Sequence, residues 1–241
     1  MNSKTLDFYI PSINYILEVQ NSDGSIPWEK GKKLDPWDHV EACMGLSIAG
    51  KKDEAEQAFL WLSDNQLEDG SWYSEYLKSI PQTKRRETNF SAYIATGLMH
   101  HYLIFKDKDF LEKLYPTLSK AIDFVISSQT LQGDIYWAKE EGKEILDDSL
   151  ITGSSSIYKS LECAIAINEI LDRPADRLLE AKSKLKNSII NNPERYDRSW
   201  ESKSRYSMDW YYPILCGVYT HDKGISIIDS KWSEFIVEGK G

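Results

Sequence analysis

The chain has little cysteine and no framework for it. Its three cysteines, Cys43, Cys163 and Cys216, stand singly inside apolar segments with no C-x-x-C pair. That excludes a disulfide scaffold and suits a reducing cytoplasm. Basic charge is also short: 29 Lys and Arg face 38 Asp and Glu, a formal net charge of −9. Nucleic acid is therefore not an expected partner, because neutralising phosphates needs a basic surface. The basic cluster of note is Lys84-Arg85-Arg86. No apolar run approaches the roughly 18 residues of a membrane span. The opening "MNSKTLDFYIPSINYILEVQ" lacks the unbroken apolar core and small-residue cleavage site of a secretory signal. Proline and glycine are nowhere dense enough for a linker, so residues 1–241 read as one domain.

What is present is a repeated phrase. Trp61-Leu62 is followed after three residues by Gln66, after three more by Gly70, and then by Trp72. Tyr15-Ile16, Gln20, Gly24 and Trp28 repeat the spacing up to the glycine, as do Phe124-Val125, Gln129, Gly133 and Trp137. Self-similarity on this scale marks stacked supersecondary units that cannot bury their apolar faces alone. Within each copy, a glycine just past the last apolar-periodic residue supplies a helix stop. The glutamine is placed to bond free backbone groups of a neighbouring helix and staple one hairpin to the next.

Apolar residues recur at three- and four-residue spacing and strict alternation is not sustained, which predicts an all-α fold. Helices are expected over about 5–20, 38–49, 52–66, 88–105, 109–129, 153–171, 175–191, 208–220 and 224–237. Short connections at Gly50, Asp107 and Pro174 alternate with long ones carrying the repeated phrase. Helices after the long loops are rich in Gly, Ala, Ser and Cys and belong to a crowded inner layer, whereas "KKDEAEQAFLWL" and "ADRLLEAKSKLKNSI" carry charge and belong outside. The result is an α/α toroid. Nine helices make four and a half hairpins of the six that close such a ring, so the expectation is an incomplete barrel whose last hairpins are missing, or whose open edge a dimer or partner chain covers.

The three phrases resemble the QW repeats of squalene and terpenoid cyclases, whose toroid is shared with protein prenyltransferase β subunits. The segments "PWDHVEACMGLSIAG", "LITGSSSIYKSLECAIAI" and "SRYSMDWYYPILCGV" are similar to a bacterial prenyltransferase-like group. The resemblance implies a transferase or cyclase holding a polyprenyl chain in the central cavity, with Arg85 and Arg86 on a diphosphate. The cyclase acid D-x-D-D is matched only by "ILDD", residues 145 to 148, which lacks the first aspartate. Asp38, His39 and Cys43 do not have the spacing of the prenyltransferase zinc ligands, so neither metal nor other cofactor is expected.

Inner-helix starts gather at one mouth of a toroid. The residues placed there are Trp37, Asp38, His39 and Glu41; Glu87 and Asn89; Asp147 and Asp148; and Asp209, Trp210, Tyr211 and Tyr212. Asp38, Glu87, Asp148 and Asp209 are the candidate catalytic carboxylates. Acids at a helix's first turn also cap free amides and complement the dipole. An aromatic bowl with carboxylates suits a carbocation or, equally, an oxocarbenium ion over a sugar. The second reading is thus a carbohydrate-active site of the six-hairpin glycosidase type, with two of the acids as proton donor and base and Trp37 and Trp210 against the glycan. The third is a scaffold without catalysis.

Overall fold

The computed structural model describes residues 3–140, 142, 147–199 and 208–235. Its helices are α1 (Ser3–Val19), α2 (Pro36–Ile48), α3 (Lys52–Asp64), α4 (Thr88–Ala92), α5 (Ile94–Phe105), α6 (Lys108–Ile126), α7 (Ile151–Ile170), α8 (Asp176–Asn191), α9 (Met208–Leu215) and α10 (His221–Phe235). The expected helix over 88–105 is two, α4 and α5, meeting at Tyr93. Short strands decorate the loops: β1 (Lys33–Leu34), β2 (Tyr76–Leu77) and β3 (Ile80–Pro81) form one antiparallel sheet, and β4 (Arg85–Glu87) pairs with β5 (Ala138–Glu140) in another. At two or three residues each, they are too short to register as alternation in sequence.

The inner layer runs α2, α5, α7, α9, each packed on the next, and α3, α6 and α8 lie outside. This is the arrangement expected of an α/α toroid. The interior contacts rest on small residues. A Cβ on Gly97 of α5 would sit 2.5 Å from Val40 Cγ1 of α2 and 3.0 Å from the Phe59 ring of α3, so three helices meet there only because position 97 has no side chain. Trp61, Phe59, Leu62, Leu98, Leu118 and Ile157 are among the fully buried side chains between the layers.

The repeated phrase acts in the same way three times. Gln20 Nε2 donates to Glu54 O at 2.9 Å, Gln66 Nε2 to Thr117 O at 2.8 Å and Gln129 Nε2 to Ala181 O at 2.9 Å. Each glutamine follows one outer helix and grips the next, from α1 to α3, α3 to α6 and α6 to α8. Each also donates to the carbonyl of its own glycine, at 3.4, 2.9 and 3.0 Å. The glycines adopt φ of +91°, +90° and +94°, and a Cβ on them would lie 2.3, 2.1 and 2.4 Å from the carbonyls of Gln57, Lys120 and Lys184. These contacts fall three residues beyond the carbonyl each glutamine holds, so the staple has one geometry. The aromatic member is less uniform. Trp72 is buried and donates its indole N–H to Leu62 O at 2.9 Å, whereas Trp28 is half exposed. The glutamine and glycine of the phrase therefore specify hairpin stacking and carry no reaction chemistry of their own.

Candidate active site

The helix α2 begins at Asp35-Pro36. Proline at the first helical position is pre-set for the turn, and the Asp35 side chain caps it by accepting the Asp38 N–H at 2.9 Å. The same carboxylate accepts the Trp28 indole N–H at 2.8 Å. Asp35, Trp37 and Asp38, together with Trp28, Asn89 and Phe90, Thr152 and Gly153, and Met208 and Tyr212, line a cleft of about 290 Å³. Its walls are thus the first turns of the inner helices α2, α4, α7 and α9.

One side of the cleft is aromatic. Trp37 stacks on Tyr93 with ring centroids 3.8 Å apart and planes 5° from parallel, and Phe90 lies 6.2 Å from Trp37. Glu41 holds the stack by accepting the Trp37 indole N–H at 2.9 Å and the Tyr93 hydroxyl at 3.4 Å. Burial, and the nearby Glu41 charge, push the Tyr93 phenol far above its ordinary range, so it stays a neutral donor.

Asp35 and Asp38, either side of Trp37 in sequence, make the start of α2 acidic. Asp35 is almost fully buried, and burial, assisted by the adjoining Asp38 carboxylate, raises its pKa to about 6 against the pull of the Asp38 amide and the Trp28 indole. Glu87 is raised too, again chiefly by burial and further by the Asp35 charge, while its ion pair with Arg85 at 2.9 Å opposes the shift. Two carboxylates side by side with a third in electrostatic reach favour holding a proton at mildly acidic pH, which is what general acid catalysis requires.

Of the residues expected at the mouth, Trp37, Asp38, Asn89 and Tyr212 line the cleft, Glu41 supports it, and Glu87 is not among the lining residues. His39 is fully buried: its Nδ1 accepts the Ile26 N–H at 3.1 Å and its Nε2–H donates to Ala58 O at 2.9 Å, and burial pushes its pKa down to about 4. Arg86 is bound to Asp69 at 2.6 Å, and Arg85 is held between Glu87 and the Trp137 ring. Asp148 is buried and accepts from the amides of Ser149, Arg198 and Ser199 and the Ser199 hydroxyl, and Asp147 is exposed beside Arg198. Asp209, Trp210 and Tyr211 occupy the first turn of α9, where Trp210 packs on Tyr211 and Phe235, and the cleft is met instead by their neighbours Met208 and Tyr212. Residue 145 of the "ILDD" phrase and Trp200 lie outside the described residues.

Sequence reasoning missed Asp35. Starting the helix at residue 38 leaves Asp35 in a loop, whereas the pair Asp-Pro is itself an N-cap signal that would have moved the start back and placed two acids one turn apart. No group of three or more His, Cys, Asp or Glu side chains suited to a metal is present among the described residues. Nor, among them, is any helix long and apolar enough to cross a membrane.

Comparison with known proteins corrects the isoprenoid expectation. The chain is 38% identical over 226 residues to the MMP endo-(1,4)-3-O-methyl-alpha-D-mannosidase of Mycolicibacterium hassiacum, covering 94% of this chain and 62% of that protein. The chain thus spans somewhat less than two thirds of its relative's length. No family model matches it. Among solved structures, a rhamnosidase from Klebsiella oxytoca superposes with a TM-score of 0.65 at 14% identity, over 97% of this chain and 48% of that one. A glycosidase in complex with glucose gives 0.68 at 11% identity, over 99% and 73%. These two likenesses show the toroid, and the mannosidase relationship overturns the transferase and cyclase reading. The physical reason is that the repeated phrase is a hairpin staple that any toroid can use, and that Arg85 and Arg86, assigned to a diphosphate, are paired with the protein's own acids.

Proposed function

We propose that this chain forms the substrate cleft of a glycoside hydrolase acting on an α-(1,4)-linked mannose-type glycan. The observation that carries the reading is the Asp35–Asp38 pair, with the Asp35 pKa raised, lining one cleft together with Trp37 and Phe90. Both Asp35 oxygens already accept protein N–H groups, so Asp38 is the member free to address the sugar. Its raised pKa lets Asp35 hold a proton, which is relayed through the hydrogen-bonded Asp38 carboxylate to the glycosidic oxygen, which leaves as an alcohol. Water adds to the anomeric carbon and passes its proton to a second carboxylate, a role assigned to Glu87, which is electrostatically coupled to Asp35. Trp37 and Phe90 offer apolar faces to the C–H side of a pyranose, and Met208 and Tyr212 can accommodate a methyl ether of the kind named in the relative's substrate.

Incubation with α-(1,4)-linked 3-O-methylmannose oligosaccharides tests the proposal through the appearance of new reducing ends. Asp38→Asn should lower turnover by at least about a hundredfold with binding retained. Failure of the unaltered protein either to cleave or to bind such chains would overturn it.

A further inference from the structure

A second cavity, of about 440 Å³, lies on the other side of the loop that carries Trp28. Asn21, Ser22, Asp23 and Ser25 line one wall, Lys30, Gly31, Lys32 and Leu34 another, and Lys78 and Ser79 close it. Its charge is opposite to that of the whole chain. Three lysines and one aspartate are among its lining residues, leaving two net positive charges in a protein of net charge −9. The one acid is already committed: Asp23 Oδ1 accepts the Ser25 amide and hydroxyl at 3.0 and 2.6 Å, and Oδ2 accepts the Ser79 hydroxyl at 2.7 Å. Those bonds hold its carboxyl below the usual range although partial desolvation opposes them. The three lysines make no ion pair among the described residues.

The turn that closes the cavity is built against local preference. Lys78 and Ser79 are the two loop residues of the β2–β3 hairpin, at φ +50° and +60°. That geometry normally selects Asn-Gly, and a non-glycine residue there is strained. Both side chains are in use instead. Ser79 Oγ is anchored to Asp23 and receives the Trp61 indole N–H at 3.3 Å, and Lys78 lines the cavity. The cavity and the cleft are lined by adjacent residues of the same loop. Leu34 lines the cavity and the adjacent Asp35 lines the cleft, while Pro27 lines the cavity and the adjacent Trp28 borders the cleft.

We infer that this cavity is an anion subsite that receives a carboxylate or sulfate group carried by the glycan bound in the neighbouring cleft. The inference rests on the glycosidase reading for its ligand and on the lysines for its charge. Ammonium groups donate charge-assisted hydrogen bonds to such oxyanions, and Ser22 and Asn21 supply neutral donors beside them.

Tryptophan fluorescence titration tests it, since Trp61 and Trp28 flank the cavity. The probes are inorganic sulfate, glucuronate, neutral methyl mannoside and a glucuronate-bearing oligosaccharide. Sulfate and glucuronate should bind and methyl mannoside should not do so at this site. Lys32→Gln and Lys78→Gln should each weaken anion binding about five- to tenfold, with affinity falling as salt rises. The acidic oligosaccharide should bind at least about tenfold more tightly than free glucuronate, and Trp37→Ala in the cleft should abolish that excess while leaving sulfate binding intact. Anion binding that ignores both lysine substitutions would overturn the subsite. Equal affinity for sulfate and the acidic oligosaccharide would overturn its link to the glycan. Lysine-dependent binding in a protein that cleaves no glycan would sink the hydrolase reading and leave the anion cavity standing.

Discussion

Trp28 donates its indole N–H to Asp35 Oδ2 at 2.8 Å, tying the aromatic residue of the first repeated phrase to the buried acid of the cleft. The bond favours the ionised form of Asp35, and burial disfavours it more strongly, which is why the carboxyl titrates at about 6. If the pair must hold its proton to act, activity is present below that value and declines as pH rises through it. Replacing Trp28 by Phe keeps the ring and removes the donor, so the pKa should rise further. The basic limb of kcat/KM should therefore move to higher pH in Trp28→Phe, by about half a unit to one unit, as read from a pH–rate profile.

The same shift has a consequence for stability, with a definite sign. A carboxyl whose pKa is raised on folding binds more protons in the native state, so its contribution weakens as pH rises from the unfolded value near 4 to the folded value near 6. Across that interval the loss amounts to about 2–3 kcal/mol. Asn at position 35 still caps α2 but does not titrate. Urea unfolding of Asp35→Asn between pH 4 and 7 should lack this decline, and an unchanged pH profile would show that the Asp35 pKa is not raised on folding.

His39 works in the opposite direction. Its folded pKa is depressed to about 4, so the stability of its neutral form is complete above the unfolded value of 6.5 and is lost as pH falls toward 4. Protonating Nδ1 would also break its bond with the Ile26 amide. His101, buried against Ser47 and Phe59, is pushed down to about 4 mainly by burial and adds a second contribution of the same sign. Each is worth about 3 kcal/mol over the interval. With Asp35→Asn removing the opposing slope, the unfolding midpoint should fall more steeply toward acid than in the unaltered protein.

The staples yield a graded stability series. Gln66→Ala removes two side-chain hydrogen bonds to carbonyls and should cost about 1–3 kcal/mol. Gly70→Ala should cost more, because the new Cβ meets the Lys120 carbonyl at 2.1 Å and the backbone is held at φ +90°. Thermal melts rank the pair, and equal, small effects would mean that the stacking of α3 on α6 does not depend on the staple.

These features differ in how legibly the sequence writes them. Gln20, Gln66 and Gln129 repeat one spacing, and the inner helices advertise themselves through small residues, so the toroid and its layers follow from pattern alone. The break at Tyr93 inside 88–105 leaves no such trace, because both pieces continue the same apolar periodicity. Acids at helix starts are visible as a class, yet sequence cannot say which are consumed by backbone amides. Asp148 fills its oxygens with a loop some fifty residues away, and Asp38 turns to the cleft. The reaction was least legible, since a staple shared by toroids of different chemistry resembles one family as well as another.

Asp38 and Asp148, both acids placed at the mouth by sequence, should give opposite results when changed to Asn. Asp148 accepts three backbone amides and a hydroxyl and lies beside the Arg198 guanidinium at 3.6 Å, which together hold its pKa below the ordinary value although burial opposes them. Its stabilising contribution is present above the unfolded pKa near 4 and is lost as pH falls through the lowered folded value. Asn can accept with only one oxygen and turns an amine toward the Ser199 or Arg198 N–H, so Asp148→Asn should cost about 2–4 kcal/mol at pH 7. Asp38 sits beside a second carboxylate in a crowded first turn, and neutralising it relieves that repulsion. Asp38→Asn should leave stability equal or raised and remove turnover, whereas Asp148→Asn, assayed at a temperature where it remains folded, should retain most of its activity. Melting curves read beside reducing-end assays decide the matter: loss of turnover in both variants at unchanged stability would put Asp148 in the chemistry and force the cleft to be redrawn around α7.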